Sequence, residues 1–153
     1  MATGNAVYPT TSKVSPTILI VEDDAHVLAL FSKDLQEQGY TVLQAVNSQE
    51  ALHICKQYSG PIHLLLTDLL LPPKKMQLAT QLAKQPCMQG LELVRNVAMI
   101  RPQIRVILMS GHSDEELRAF NLSKQGKPFL RKPISLDMLL RTVDQVLSRP
   151  PAA

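Results

Sequence analysis

Apolar residues fall into five short runs, and between them hydrophobic positions recur at helical spacing. Thr17 to Val21 is a short, mostly apolar run rich in β-branched residues, which predicts a buried strand. Val27, Leu28, Phe31 and Leu35 then mark one face of a helix that Gly39 stops. Tyr40 to Ala45 is more polar and predicts an edge strand. Ser48 is expected to cap a helix carrying Ala51, Leu52 and Cys55 on one face, ended by Gly60-Pro61. The third run, Leu64 to Leu71, contains Thr67 and Asp68 and meets Pro72-Pro73. Prolines cannot donate to a sheet ladder, so this strand has ended by Pro72 and Asp68 stands where it leaves the core.

The second half repeats the alternation. Met76, Ala79, Leu82 and Ala83 suggest a short amphipathic helix within a basic, polar stretch that Pro86 would end. A firmer helix runs from Gly90 with Leu91, Val94, Val97 and Ala98 on one face, closed by Pro102. Arg105 to Met109 predicts a fourth strand leading into Ser110-Gly111-His112. Ser113 with Asp114-Glu115-Glu116 reads as a helix start, with acids at the positive end of the dipole, and Gly126 as its break. Phe129 to Arg131 predicts a short fifth strand before Lys132-Pro133. Ser135 caps a last helix whose stripe is Leu136, Leu139, Leu140, Val143 and Leu147, ended by Pro150-Pro151.

Strands alternating with helices predict an α/β fold, a parallel sheet with helices on both faces. Right-handed crossovers bring the carboxyl ends of all strands to one edge. Glu22 and Asp23, Asp68, Ser110 and Lys132 each follow a strand, so they converge there. Crowded carboxylates repel and invite a cation. Oxygen ligands without His or Cys suit Mg²⁺ or Mn²⁺. With the cation and Lys132 attracting a phosphoryl group and Ser110 donating to it, Asp68 is placed to act as a nucleophile and form an acyl phosphate.

Composition narrows the class. At 153 residues, 45% hydrophobic and 19% charged, the chain reads as one globular domain. Residues 1–15 read as a flexible leader without a secretory signal, 16–149 as the domain and 150–153 as a tail. No apolar run approaches a membrane span. A cytoplasmic protein is expected, with no membrane partner. Cys55 and Cys87 fit neither a disulfide framework nor a metal spacing. Residues 1–68 carry seven acids and three bases, residues 69–153 six acids and thirteen bases. The bases are scattered and lack aromatic interleaving, so a solvated basic face is expected rather than a nucleic-acid site.

In order, Ile18 to Asp24, Leu65 to Pro72, Gly90-Leu91-Glu92-Leu93, Val106 to Gly111 and Phe129 to Pro133 resemble the motifs of the receiver domain of two-component response regulators. The resemblance covers about residues 16–148. It implies a flavodoxin-like five-stranded sheet of order 2-1-3-4-5. It implies that Asp68 accepts a phosphoryl group from a histidine kinase or phosphotransfer protein, and that a downstream protein target reads the result. Glu22 and Asp23 match the metal-holding pair, with Asp68 and the Leu70 backbone carbonyl completing the ligands; Asp24 matches a more variable neighbour. Lys132 matches the phosphate-binding lysine, followed by a cis bond to Pro133. Ser110 matches the switch hydroxyl and Phe129 the switch aromatic. Such a domain is not an enzyme on other substrates; it catalyses its own phosphorylation and dephosphorylation. Two other readings use the same residues: a phosphorylation-independent interaction module, against which the complete acceptor set counts, and a Mg²⁺-dependent small-molecule phosphatase, which would need a general acid beside Asp68.

Two departures stand out. The Gly-Leu-Glu-Leu motif begins 22 residues after Asp68, where the family has about eight, so a segment at about 74–89 is inserted. It reads either as a tolerated surface insertion or as an element that screens the site or docks a partner. Leu70 and His112 stand two residues beyond the acceptor and the hydroxyl, beside the expected path of the hydrolytic water. His112 also reads as a plain solvated loop residue. An apolar Leu70 cannot orient that water, so the phosphoryl half-life is expected at the slow end for the family. Following the phosphoprotein after donor removal checks this, and decay within seconds contradicts it.

Overall fold

The computed structural model describes residues 15–69, 89–119 and 127–149. Five strands, β1 (Thr17–Val21), β2 (Thr41–Ala45), β3 (Leu64–Asp68), β4 (Arg105–Ser110) and β5 (Phe129–Arg131), alternate with five helices among the described residues. These are α1 (Ala25–Glu37), α2 (Ser48–Gln57), α3 (Gln89–Ile100), α4 (Asp114–Ala119) and α5 (Leu136–Ser148). The strands form one parallel sheet of order β2-β1-β3-β4-β5, the flavodoxin-like order expected. The leader to residue 14, Leu70, most of the inserted segment with Met76, Ala79, Leu82, Ala83 and Cys87, Gly126 and the tail lie outside the described residues.

Every residue of β1 and β3 is buried, whereas β2 is mostly exposed or half-buried, as an edge strand should be. Alternation along the strands builds two cores. Ile18, Ile20, Leu64, Leu66, Ile107 and Met109 face α1 and α5, meeting Phe31, Leu35, Leu139 and Val143. Leu19, Val21, Leu65 and Leu108 point the other way, toward Ala51 and Cys55 of α2, Val94 and Val97 of α3 and Leu117 of α4.

Local signals set the helix ends. Asp24 caps α1 by accepting from the His26 and Val27 amides. After α1, Gly39 takes a left-handed φ of 98°, which glycine adopts without a Cβ penalty. Ser113 and Glu116 form a reciprocal capping pair at α4, and Ser135 caps α5. Arg101, just past α3, forks onto the carbonyls of Cys55, Tyr58 and Gly60, fastening the end of α2.

Three expectations need correction. The α2 cap is Asn47, whose Oδ1 accepts from the Glu50 amide while Glu50 accepts from the Val46 amide; Ser48 is the first helical residue. In α3 the buried arc is rotated toward Leu93, leaving Ala98 exposed. In α5 it is rotated toward Val146, and Leu136, in the first turn ahead of the buried arc, is 46% exposed.

Gly90 shows why α3 begins where it does. A Cβ built there would lie 2.2 Å from the carbonyl oxygens of both Asp68 and Leu69. The start of α3 therefore rests on the backbone that carries Asp68, at a separation only glycine allows. Gly90→Ala is expected to cost about 1–3 kcal/mol by overpacking, read as a lowered urea midpoint. An unchanged midpoint would mean that the neighbouring carbonyls can retreat freely.

Candidate functional site

Register places the site residues. Val21 pairs with Thr67, Thr67 with Leu108 and Leu108 with Phe129, forming one line across the sheet. Glu22 and Asp68 lie one residue beyond that line, Asp23 and Ser110 two, and Lys132 three. Backbone bonds hold the ladder together past the line: the Glu22 amide donates to Ala45 O, Leu69 to Met109 O and Lys132 to Ser110 O.

The result is a tight polar cluster on an apolar floor. Carboxylate oxygens of Glu22, Asp23 and Asp68 lie within 4.8 Å of one another. Glu22 is fully buried, Asp68 is 4% exposed and Asp23 stands open to solvent. Lys132 Nζ reaches Glu22 Oε1 at 2.6 Å and Asp68 Oδ1 at 2.8 Å. Asp24 caps α1 through Oδ1 and its backbone amide donates to Glu22 Oε2 at 3.3 Å; its carboxylate is not part of the cluster. The Lys132–Pro133 peptide is cis.

One ammonium cannot neutralise three carboxylates. Burial, and then the neighbouring Glu22, push Asp68 up to about 8, with Lys132 pulling the other way. Burial alone would raise Glu22 too, but its bonds to Asp68 and Lys132 outweigh that and hold it low. Asp23 is raised by partial burial and by Glu22. Lys132 is raised, because its two carboxylate partners outweigh desolvation. Glu22 and Asp68 therefore share a proton, on the Asp68 side, that a cation would displace. The donor set fits a hard divalent ion: three carboxylates, no nitrogen or sulfur, and a charge that two further positive units bring to zero. Glu22, Asp23 and Asp68 would hold it; the Leu70 carbonyl lies outside the described residues.

Ser110 is buried at the end of β4. Its Oγ accepts from the His112 amide at 3.0 Å and lies 3.2 Å from His112 Nδ1, so His112 is more than a solvated loop residue. Phe129 is half-buried, and the Arg131 guanidinium lies 5.3 Å over its ring. Arg131 also donates to His112 O and pairs with Asp114 Oδ1 at 2.6 Å. Arg131, the register partner of Ser110 on β5, carries no mark in the sequence that sets it apart from a solvated base. A cavity of about 520 Å³ lined by His63, Arg101 and Arg105 opens at the opposite, amino-terminal edge of the sheet, away from this cluster. No helix among the described residues is long and apolar enough to cross a membrane.

The family model for the response regulator receiver domain matches residues 18–144, and the chain belongs to that family. It is 32% identical over 136 residues to sensor kinase CckA of Brucella abortus, covering 88% of this chain and 13% of that protein. It is 29% identical to the transcriptional regulatory protein AruR of Pseudomonas aeruginosa, covering 88% of this chain and 50% of AruR. The chain thus spans half or less of these relatives. Among solved structures, the receiver domain of the hybrid histidine kinase CckA superposes with a TM-score of 0.65 at 28% identity, covering 86% of this chain and 98% of that one. A CheY-like receiver domain protein of Methanospirillum hungatei gives 0.68 at 26% identity, covering 88% and 94%.

A carboxyl raised to about 8 is protonated through the neutral range, so a cation must compete with its proton. Affinity for a divalent cation is expected to rise with pH, by up to about tenfold per unit for one displaced proton, and to level off above about 8. Calorimetric titration with Mg²⁺ in buffers of differing protonation enthalpy reads both affinity and proton release. A pH-independent affinity would contradict the shared proton.

Proposed function

We propose that the protein is a cytoplasmic phosphoacceptor of a two-component phosphorelay, with Asp68 as the acceptor. The observation that carries this reading is the buried Asp68 carboxylate at a strand end, 2.8 Å from Lys132 Nζ and beside two further acids. A sensor histidine kinase or a phosphotransfer protein is the donor. An Asp68 oxygen attacks the phosphorus of a phosphohistidine, the N–P bond breaks, and the imidazole leaves and takes up a proton. Water later cleaves the acyl phosphate and releases inorganic phosphate.

The chain's own residues supply position and charge. Glu22, Asp23 and Asp68 would hold Mg²⁺ or Mn²⁺, which would supply positive charge for the phosphoryl oxygens. Lys132 exchanges its pairing with Asp68 for one with a phosphoryl oxygen, a short move for a flexible ammonium. Ser110 donates its hydroxyl to another such oxygen, and Phe129 turns inward as Ser110 moves. The altered surface is read by a protein partner; neither nucleic acid nor a membrane is required. The domain catalyses only its own phosphorylation and dephosphorylation.

Incubation with acetyl phosphate and Mg²⁺ is expected to add one phosphoryl group, acid-stable and base-labile, which Asp68→Asn abolishes. Lys132→Ala should slow its formation about a hundredfold, as loss of a charge-stabilising group does. Absence of label in the wild-type protein would favour the phosphorylation-independent interaction module. Continuous turnover of donor at enzyme-like rates would favour a phosphatase.

A further inference from the structure

We propose that His112 is a positioning residue of the switch: its Nδ1 holds the Ser110 hydroxyl proton in the unmodified protein, and Arg131 keeps His112 in place. The inference rests on the reading of Asp68 as phosphoryl acceptor. A serine hydroxyl has one proton to donate. The Ser110 oxygen already accepts from the His112 amide at 3.0 Å, and the imidazole Nδ1 lies 3.2 Å away. Directing the O–H to Nδ1 completes the pair and places the neutral imidazole's own proton on Nε2. The same O–H cannot be given to a phosphoryl oxygen at the same time, so it must leave His112 before it can answer phosphorylation.

Arg131 fastens the arrangement from the neighbouring strand. It donates to His112 O, pairs with Asp114 at the start of α4 and covers the Phe129 ring. The Lys132 amide bond to Ser110 O ties the same two strand ends. Ser110 and Phe129, the two residues expected to move, are thus both held by a lock made of His112 and Arg131. One hydrogen bond of ordinary net strength shifts such an equilibrium about fivefold.

Nitrogen-15 NMR of the imidazole tests the bond without any phosphorylation. The expected result is an accepting Nδ1, with a proton on Nε2 and an Nδ1 shift that changes in Ser110→Ala. Titration with beryllofluoride and Mg²⁺, a phosphoryl mimic, tests the consequence. His112→Ala should bind about fivefold more tightly, with the Ser110 and Phe129 resonances of the free protein displaced toward the bound position. His112→Asn, whose Oδ1 falls near the place of Nδ1, should remain close to wild type. A ring protonated on Nδ1, an Nδ1 shift indifferent to Ser110→Ala, or Ala and Asn variants that behave alike would each overturn the lock. Failure of the wild-type protein to take up beryllofluoride would strike the phosphoacceptor reading instead, while the imidazole measurement still decides the bond.

Discussion

Two carboxylates cannot be buried beside a third without a countercharge, and the Lys132 ammonium is the part of it that the chain supplies. It bridges Glu22 and Asp68 from the end of β5, two strands from Asp68 and three from Glu22. Breaking a buried pair by removing one partner costs several times what the pair itself contributes, because the remaining charge has lost both water and counterion. The cluster is therefore held in a state of incomplete compensation. It retains a proton on the Asp68 side and a negative balance toward solvent at Asp23. That imbalance makes the sheet edge receptive to a cation, and through the cation to an anion.

The sheet turns this into geometry at little cost. In a parallel ladder, neighbouring residues stand in fixed register, so a site scattered over more than a hundred residues of sequence is assembled by four strands ending within a few residues of one line. The apolar residues just before the ends supply the rigid, low-dielectric floor. Leu65, Leu66 and Leu108 are fully buried directly beneath the acids. Rigidity there and polarity above it come from the same strands, two or three residues apart.

Much of this could be read in the chain. The runs Ile18–Val21 and Leu64–Leu66 are so uniformly apolar that only a doubly covered strand suits them, and the polar residues past each run identify the edge. Helix rotation was less legible. The stripes on α3 and α5 are broad, and packing against neighbours on both sides chose the arc through Leu93 and Val146 over the one through Ala98 and Leu136. The α2 cap was legible but misread: Asn47 has a glutamate three residues on, at Glu50, and Ser48 does not. The contact between Ser110 and His112 depends on a side-chain rotamer within a short loop, which periodicity does not report. Arg131 was hidden for a related reason, since an arginine at the end of a short strand looks like any solvated base.

The close approach at Gly90 bears on the history of the domain. Leu69 and Gly90 are in backbone contact, so the chain leaves and re-enters the core through a single doorway. The two ends of the intervening stretch meet at one place on the core, so its length is not set by a distance it has to span. A doorway of that kind is a splice point. Past Leu70, residues can be added or removed there while the acceptor keeps its place, which separates change in what the domain contacts from change in its chemistry.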